Sequence, residues 1–313
     1  MTNWKVLITD GLSDKGITIL SSAAQVDNMT DIPADELLKV AGEYDAMVVR
    51  GRTKVNPAVF DAAKRLKVVG RAGVGVDNID LTAARGHGVT VVNAPKSTSL
   101  AVAELALAMM FSLARMVPKA DATMKQGQWI KKQLEGIELN GKTLGIVGMG
   151  NIGTALAQRA AALGMKVIGY DSLVAPDEIK KRGAEPVALA DLYAKSDFIS
   201  FHLPLTPESK AMVNGQALAQ MKHGVRIVDA ARGGIIDETA LLAAIESGQV
   251  AAVALDVYSA EPPGLTALVA HPNVVATPHI GAQTEEAQDR AAEDIASEVL
   301  NALRGEPLRW KIV

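Results

Sequence analysis

The chain of 313 residues contains no cysteine, which excludes disulfides, thiolate metal ligands and a cysteine nucleophile. It has no excess of basic residues either: the net charge is -3 and both signs are dispersed, which argues against a nucleic-acid or anionic-membrane partner. The longest apolar run, residues 100–114, is too short to span a bilayer and carries Glu104. The first residues lack a basic stretch followed by an apolar one, the pattern of a secretory leader. Together these absences predict a cytoplasmic protein that binds a small molecule.

Short β-branched runs alternate with helical stretches along the chain, which predicts an α/β fold with parallel sheets. The length favours two domains. A helical stretch from about Thr98 to Gly127 separates two series of strands, and a C-terminal helix begins after an N-cap at Thr284. The first series is KVLIT, DAMVVR, LKVVG and VTVVN, with helices that start near Ser13, Pro33, Asn56 and Ile79. The second is KTLGIVG, MKVIGY, DFISFH, VRIVDA, VAAVALDVY and NVVATP.

A glycine motif follows the first strand of the second series. Gly148, Gly150 and Gly153 form a G-x-G-x-x-G that opens a helix, and Asp171 ends the next strand 23 residues after Gly148. An ordinary strand-to-helix turn would also explain the glycines. The acid lies near the ~20-residue separation at which a carboxylate accepts from a ribose diol, so a dinucleotide site is the better interpretation. A carboxylate at Asp171 would repel a 2′-phosphate, which favours NAD over NADP.

Four polar residues lie at or after the ends of later strands, where open α/β sheets place ligands. They are Arg232 before two glycines, Asp256, Glu261 before two prolines, and His279. Each is compatible with an ordinary loop position. Reduction of a keto acid, however, needs a cation for the carboxylate and an acid for the new alkoxide, and Arg232 and His279 meet those needs, with Glu261 fixing the imidazole tautomer. Whether Glu261 contacts His279 is outside what the sequence shows.

The other histidines are weaker candidates for proton transfer. His87 and His223 precede glycines at predicted helix ends, and His271 starts a turn. His202 ends a strand and could line the cofactor site, but no arginine or acid accompanies it locally.

Six motifs occur in order: VGRAGVGVDNID, VVNAPKSTSLAVAELALAMM, ELNGKTLGIVGMGNIG, VDAARGGIIDE, ALDVYSAEPP and TPHIGAQTEEAQ. With them the chain resembles the D-isomer-specific 2-hydroxyacid dehydrogenases over nearly its whole length. The resemblance implies two Rossmann/flavodoxin-like parallel-sheet domains, the cofactor domain (98–284) being inserted into the substrate domain (1–97 and 285–313). It also implies a hinged cleft and a homodimer, or a larger oligomer, formed through the helix near Leu100.

The resemblance also implies a site. The catalytic trio would be Arg232, Glu261 and His279, with NAD as cofactor and no metal. NAD contacts would fall on Gly148, Gly150, Asn151, Ile152, Gly153, Asp171, Leu203, Pro204, Ala230, Ala231, Arg232, Asp256, His279, Gly281 and Ala282, with Asp256 near the nicotinamide carboxamide. Substrate contacts would fall on Arg50, Arg52, Arg71, Gly73, Val74, Gly75, Arg232 and His279.

The implied reaction is oxidation of 3-phospho-D-glycerate to 3-phosphooxypyruvate, the first step of serine biosynthesis. Arg50, Arg52 and Lys54 offer three cations in five residues for a phosphate, although a solvated basic loop is the alternative. Lys131 and Lys132 would reach a partner subunit. The alternatives are a glyoxylate or hydroxypyruvate reductase, another D-2-hydroxyacid dehydrogenase, or a non-catalytic NAD-sensing protein like the corepressors of this fold.

Two residues depart from the family pattern. Thr98 stands where many relatives carry an asparagine near the substrate, and Val74 replaces a cofactor-contacting threonine of some relatives, so that only its backbone could serve. We also expect no serine feedback through a C-terminal regulatory domain, because the 313 residues contain no counterpart of one.

Overall fold

The structure is a computed structural model and describes residues 4–313. It divides into two compact units, the first formed by residues 4–98 and 282–313 and the second by residues 99–281. The family resemblance implies divisions at 97/98 and 284/285. One unit is therefore built from two separate segments of the chain.

The first unit contains a five-stranded parallel sheet in the order β2-β1-β3-β4-β5, the flavodoxin-like order. Its buried strands are apolar on both faces, because helices cover both sides of a parallel sheet. The strands are β1 (Trp4–Ile8), β2 (Ala24–Asn28), β3 (Ala46–Val49), β4 (Val68–Arg71) and β5 (Thr90–Asn93). The helices between them are α1 (Asp14–Ser21), α2 (Ala34–Val40), α3 (Pro57–Ala62) and α4 (Leu81–Gly86), with a 3-10 turn at Ala41–Glu43.

The second unit contains a seven-stranded parallel sheet in the order β12-β11-β10-β9-β6-β7-β8. The strand order reverses at β6, and such a switch point is where open sheets bind ligands. The strands are β6 (Thr143–Val147), β7 (Lys166–Tyr170), β8 (Glu185–Pro186), β9 (Phe198–Phe201), β10 (Val225–Asp229), β11 (Val250–Leu255) and β12 (Val274–Ala276). The helices are α5 (Ser99–Arg115), α6 (Val117–Lys125), α7 (Asn151–Ala162), α8 (Pro176–Lys181), α9 (Leu189–Lys195), α10 (Gly215–Gln220) and α11 (Glu238–Glu246), with a 3-10 turn at Lys131–Gln133.

The C-terminal helix α12 (Glu285–Arg304) belongs to the first unit and packs on α1 and β4. Thr284 is its N-cap and accepts from the N–H of Ala287, as the sequence predicted. Glu298 is a fully buried acid on this helix, and it accepts from the backbone N–H groups of Arg309 and Trp310. This buried carboxylate therefore fixes the segment that follows the helix.

The predicted fold class, α/β with two parallel sheets, is confirmed. All ten predicted strands are present, but β2 and the two-residue β8 were missed. The single helix predicted from Thr98 to Gly127 is wrong, because α5 and α6 are separate and meet at 66°. Met116 has φ of +52°, and Pro118 in the first turn of α6 cannot donate the hydrogen bond that a continuous helix needs.

No single helix among residues 4–313 is long and apolar enough to cross a membrane. Only the bent pair α5 and α6 reaches that length and composition when the two helices are taken together.

Candidate active site

The glycine loop between β6 and α7 has the geometry of an anion-binding turn. Gly148 has φ of +98°, and a Cβ there would lie 2.4 Å from the carbonyl oxygen of His202, so only glycine fits. At Gly150, the N-cap of α7, a Cβ would meet nothing within 4 Å. The space beside Gly150 and the N–H groups of the first turn, which includes Asn151, Ile152 and Gly153, suit a pyrophosphate. These residues fit a dinucleotide.

Asp171 follows β7 and organises the loop behind the glycine turn. Its carboxylate accepts from the backbone N–H groups of Met149 (2.8 Å), Leu173 (2.8 Å) and Val174 (3.2 Å). A pocket of about 700 Å³ opens next to it, lined by residues 170–176 together with Ile179 and residues 186–188. The lining is mainly apolar, which suits an adenine ring, and the position of Asp171 suits the adjacent ribose diol.

Arg182 is a cation near this loop that the sequence interpretation missed. Its guanidinium donates to the carbonyl oxygen of Met149 (2.6 Å) and pairs with Glu178 (3.0 Å). The i,i+4 spacing of Glu178 and Arg182 is the sequence signal for this pair. Because Arg182 is engaged by these partners, its presence does not remove the argument from Asp171 for NAD over NADP.

The predicted arginine lies in the turn after β10. Arg232 Nη1 donates to the carbonyl oxygen of Ala231 (2.6 Å). The next residue, Gly233, lies so close to the loop after β11 that a Cβ there would be 1.8 Å from the carbonyl oxygen of Tyr258. The turn that carries Arg232 and the loop that carries Glu261 therefore pack directly against each other.

The structure brings His279 and Glu261 together, a contact that the sequence could not show. Nδ1 of His279 lies 2.8 Å from Oε2 of Glu261, and the other oxygen of Glu261 accepts from the N–H of Tyr258 (3.1 Å). Both side chains are partly accessible. His279 has φ of +52°, a left-handed conformation that few non-glycine residues adopt. The acid is thus fixed by its own loop and in turn orients the imidazole.

Asp256 supports the loop that carries His279. It is fully buried, and its carboxylate accepts from Thr277 Oγ1 (2.6 Å), the N–H of Ile280 (2.8 Å) and the N–H of Gly281 (2.8 Å). The sequence interpretation placed Asp256 near the nicotinamide carboxamide and did not foresee these three bonds. They hold the backbone on both sides of His279.

The remaining predicted cofactor residues lie in the loops after β9 and β10, apart from Ala282, which begins the second segment of the first unit. Leu203 follows β9, and its side chain would be 3.0 Å from a Cβ on Gly148. The carbonyl of Pro204 accepts from Ser209 Oγ, and that of Ala282 accepts from Gln288 Nε2. Ala230 and Ala231 are buried in the turn after β10. Their roles toward a cofactor stay predictions.

His202 is held in a neutral form. Its Nε2 lies 2.9 Å from Ser200 Oγ, and burial lowers the pKa of His202 to about 4. Its Nδ1 has no hydrogen-bond partner among residues 4–313. A neutral buried imidazole is a poor proton carrier near pH 7, in agreement with the choice of His279 from the sequence.

The predicted substrate cations lie in the first unit, and most of them are engaged there. Arg52 donates to the carbonyl oxygens of Thr9 and Ile32 and pairs with Asp31 (3.1 Å). Arg50 Nη2 lies 3.4 Å from Gln283 Oε1, and burial lowers the pKa of Arg50.

Asp10, which the sequence interpretation missed, fixes this loop. Its carboxylate accepts from the backbone N–H groups of Arg50 (2.8 Å) and Thr53 (3.1 Å). Nothing in the sequence near Asp10 marks it, because its partners lie 40 or more residues away.

The other predicted substrate residues lie at the end of β4 and in the loop that follows it. Arg71 lies against Gly73, since a Cβ there would overlap its guanidinium. The carbonyl of Val74 accepts from Asn93 Nδ2 (2.6 Å), and Gly75 follows in the same loop. Thr98, the departure from the family pattern, is buried. Within the described residues, no group of three His, Asp or Glu side chains could hold a metal ion.

Comparisons with known proteins agree with the fold. The family model for the NAD binding domain of D-isomer specific 2-hydroxyacid dehydrogenases matches residues 107–281. A D-3-phosphoglycerate dehydrogenase from Synechocystis sp. is 45% identical over 305 residues, which are 97% of this chain and 55% of the relative. The chain therefore spans about half the length of such relatives.

Solved structures match the chain from end to end. The TT0316 protein from Thermus thermophilus has a TM-score of 0.90 and 35% identity, and the match covers 99% of this chain and 100% of the other. A glyoxylate reductase from Paecilomyes thermophila has a TM-score of 0.90 and 32% identity, with 100% and 99% covered. The family predicted from the motifs is confirmed.

Proposed function

This chain belongs to the D-isomer specific 2-hydroxyacid dehydrogenases, and on that premise we propose that it catalyses the NAD-dependent oxidation of 3-phospho-D-glycerate to 3-phosphooxypyruvate, the entry step to serine. The observation that carries the proposal is the 2.8 Å hydrogen bond between His279 Nδ1 and Glu261 Oε2. Because Nδ1 is engaged with the acid, Nε2 is the ring nitrogen that can take a proton from a substrate hydroxyl.

In this mechanism His279 acts as the general base. It takes the C2 hydroxyl proton at Nε2 while Glu261 keeps the Nδ1 proton in place and stabilises the imidazolium that forms. The buried carboxylate of Asp256 holds the loop during this step through the N–H groups of Ile280 and Gly281. In the reverse direction the imidazolium returns the proton to the alkoxide.

Arg232 would bind the carboxylate of the substrate. A guanidinium offers two parallel N–H donors to a carboxylate, and this fixes the orientation of C2 as well as adding charge. Gly233 allows the turn to pack on the loop of Glu261, so the cation and the base lie on neighbouring loops. Such an arrangement presents the carboxylate and the hydroxyl of one substrate to two different side chains.

NAD, when bound, would supply the acceptor for the hydride that leaves C2. The residues suited to hold it are the glycine loop from Gly148 to Gly153 for the pyrophosphate and Asp171 for the adenosine ribose. The open position at Gly150 and the apolar pocket of about 700 Å³ support this assignment.

The substrate assignment rests on relatives and on the basic loop. The Synechocystis relative is named D-3-phosphoglycerate dehydrogenase, whereas the Paecilomyes structure is named glyoxylate reductase. A phosphorylated substrate needs a cation that glyoxylate does not need, and Arg52 and Lys54 are the candidates. Both line a small pocket of about 170 Å³ in the first unit.

Steady-state kinetics with both substrates test the assignment. We expect a higher kcat/KM for 3-phosphoglycerate than for reduction of glyoxylate. Arg52→Ala should raise KM for 3-phosphoglycerate and leave KM for glyoxylate unchanged; Lys39→Ala, which removes an exposed cation of the same unit, is the control. Faster turnover of glyoxylate than of 3-phosphoglycerate would overturn the substrate assignment. A lack of NADH production with any 2-hydroxy acid would favour a non-catalytic NAD sensor.

We also infer that the chain forms a homodimer through α5 and α6. Phe111, Val117 and Met124 are exposed on this pair and line one apolar surface, and Trp129 beyond it is 79% exposed. A second copy of the chain would cover these side chains. Light scattering of the wild type and of Phe111→Glu should give a dimer and a monomer, respectively.

The cytoplasmic location stays a prediction, which cell fractionation tests.

A further inference from the structure

Asp229, the last residue of β10, is a buried acid that the mechanism above does not use. Only 2% of it is exposed. Its Oδ1 accepts from the N–H of Ala231 (2.9 Å), and the backbone N–H of Arg232 also hydrogen-bonds to the carboxyl group. A carboxylate that accepts consecutive backbone N–H groups fixes a tight turn. The turn fixed here is the one that carries Arg232.

Asp229 lies beside a second buried carboxylate on the neighbouring strand. The N–H of Asp256 donates to the carbonyl oxygen of Asp229 (2.8 Å), and the two strands pair in parallel up to Asp229 and Leu255. Asp256 is bound by three donors of the loop around His279. Two adjacent strand ends thus carry one buried acid each, and each acid holds one of the two loops with substrate-binding side chains.

We propose that Asp229 is a positioning residue for Arg232, and that its ionised carboxylate is the form that holds the turn in the geometry needed to bind the carboxylate of a 2-hydroxy acid. The proposal rests on the proposed function of Arg232. Loss of the negative charge would weaken both the hydrogen bonds to the turn and the attraction for the guanidinium. Binding of the substrate carboxylate would then weaken without any change at His279.

The surroundings of Asp229 make its charge sensitive to pH. Burial raises the pKa of Asp229 to about 7, against the lowering effect of the hydrogen bonds from Ala231 and of the charge on Arg232; the charge of Asp256 raises it further. The ionised fraction therefore rises between about pH 6 and 8.

Two other titratable groups lie on elements beside β10. His202 follows β9, and burial keeps it neutral with a pKa of about 4. Glu104 lies on α5, the helix that packs on β10. Its side chain is exposed, and its Oε1 lies 3.6 Å from Nη2 of Arg159. The charges that face the carboxyl of Asp229 are thus those of Arg232 and Asp256.

The test compares Asp229→Asn with the wild type between pH 6 and 8.5. Asparagine keeps the shape and an acceptor oxygen but is never charged. The variant should therefore behave at every pH like the wild type at low pH, where Asp229 is protonated. Two quantities are measured at each pH. One is KM for 3-phosphoglycerate, and the other is the dissociation constant of oxalate, a dicarboxylate probe, for the protein with bound NADH. The ratio of variant to wild type should rise from near one at pH 6 to about tenfold at pH 8.5, the size of a lost charge-assisted hydrogen bond. His279 is common to both proteins and cancels from the ratio.

Asp237→Asn is the matched control, because Asp237 caps α11 at the far end of the same connection through the N–H groups of Thr239 and Ala240. The ratio of KM, or of the oxalate dissociation constant, between Asp237→Asn and the wild type should stay constant with pH. A constant ratio for Asp229→Asn, or an unchanged KM and oxalate affinity, would overturn the proposal. If Asp229→Asn does not fold, the pH dependence of oxalate binding to His279→Ala replaces the comparison. An oxalate affinity that changes with an ionisation near pH 7 supports the role of Asp229, and an affinity without such an ionisation contradicts it. Absence of turnover in the wild type would count against the proposed function alone, since oxalate binding still reports on Asp229.

Discussion

His279 and Glu261 lie 18 residues apart in the sequence, and their side chains are joined by a hydrogen bond of 2.8 Å from Nδ1 to Oε2. The acid is oriented by its second oxygen, which accepts from the N–H of Tyr258. The histidine is oriented by its loop, which Asp256 holds through three hydrogen bonds. Both partners of the pair are therefore fixed before any substrate binds, which is what a general base requires.

We expect His279→Ala to lower kcat by about a hundredfold or more, the usual contribution of general acid–base catalysis. Binding of NAD should survive, because the glycine loop and Asp171 are untouched by the change. Turnover and NADH fluorescence titrations measure the two effects. His223→Ala, which removes an exposed histidine in the turn between α10 and β10, is the control and should keep full turnover. Near-normal turnover of His279→Ala would refute its role.

Arg232→Ala and Arg232→Lys separate charge from geometry at the proposed carboxylate site. Alanine removes both, and we expect kcat/KM for the 2-hydroxy acid to fall by roughly ten- to a hundredfold, as for a lost charged hydrogen-bond pair. Lysine keeps the charge but lacks the planar pair of donors, so its loss should be intermediate. An unchanged kcat/KM in the alanine variant would contradict the carboxylate clamp.

Asp171→Asn tests cofactor choice better than a change to alanine. Asp171 accepts from the N–H groups of Met149, Leu173 and Val174, so alanine would loosen the loop as well as remove the charge. Asparagine keeps an acceptor oxygen and removes the charge that would repel a 2′-phosphate. We expect the ratio of kcat/KM for NAD to that for NADP to fall by about tenfold, the order of one close charge repulsion in a partly solvated site. An unaltered ratio would contradict the assignment to the ribose diol.

The strands could be predicted from the sequence because burial on both faces makes them apolar and β-branched. The missed strand β2 shows the limit of this signal. Its residues AQVDN include polar side chains because it is an edge strand with only partial burial, and only its pairing with β1 identifies it. The break between α5 and α6 was readable from Pro118, whose missing N–H and ring oppose a continuous helix.

The types of the catalytic residues in the candidate site could be predicted from the sequence. The residues that hold their loops in place could not. Arg232, Glu261 and His279 follow strands and carry recognisable chemistry. Asp10 and Asp229, by contrast, look like ordinary acids in the sequence. The partners of Asp10 lie 40 or more residues away, and the environment of Asp229 depends on its neighbour Asp256 on the next strand of the sheet. Such contacts follow from strand order, which short patterns do not encode.

His202 predicts a specific dependence of stability on pH. Burial lowers its pKa from 6.5 to about 4, so that below pH 6.5 the unfolded chain binds a proton that the folded chain does not bind. The free energy of unfolding should therefore fall as the pH drops from about 6.5 to 4, with His202 contributing on the order of 3 kcal/mol of that loss. His202→Gln keeps a polar group that can reach Ser200 but cannot take up a proton. Its denaturant unfolding free energy should fall less steeply over this range than that of the wild type, whereas His223→Gln, at an exposed histidine, should follow the wild type. Parallel curves for His202→Gln and the wild type would show that the imidazole takes up its proton equally in both states.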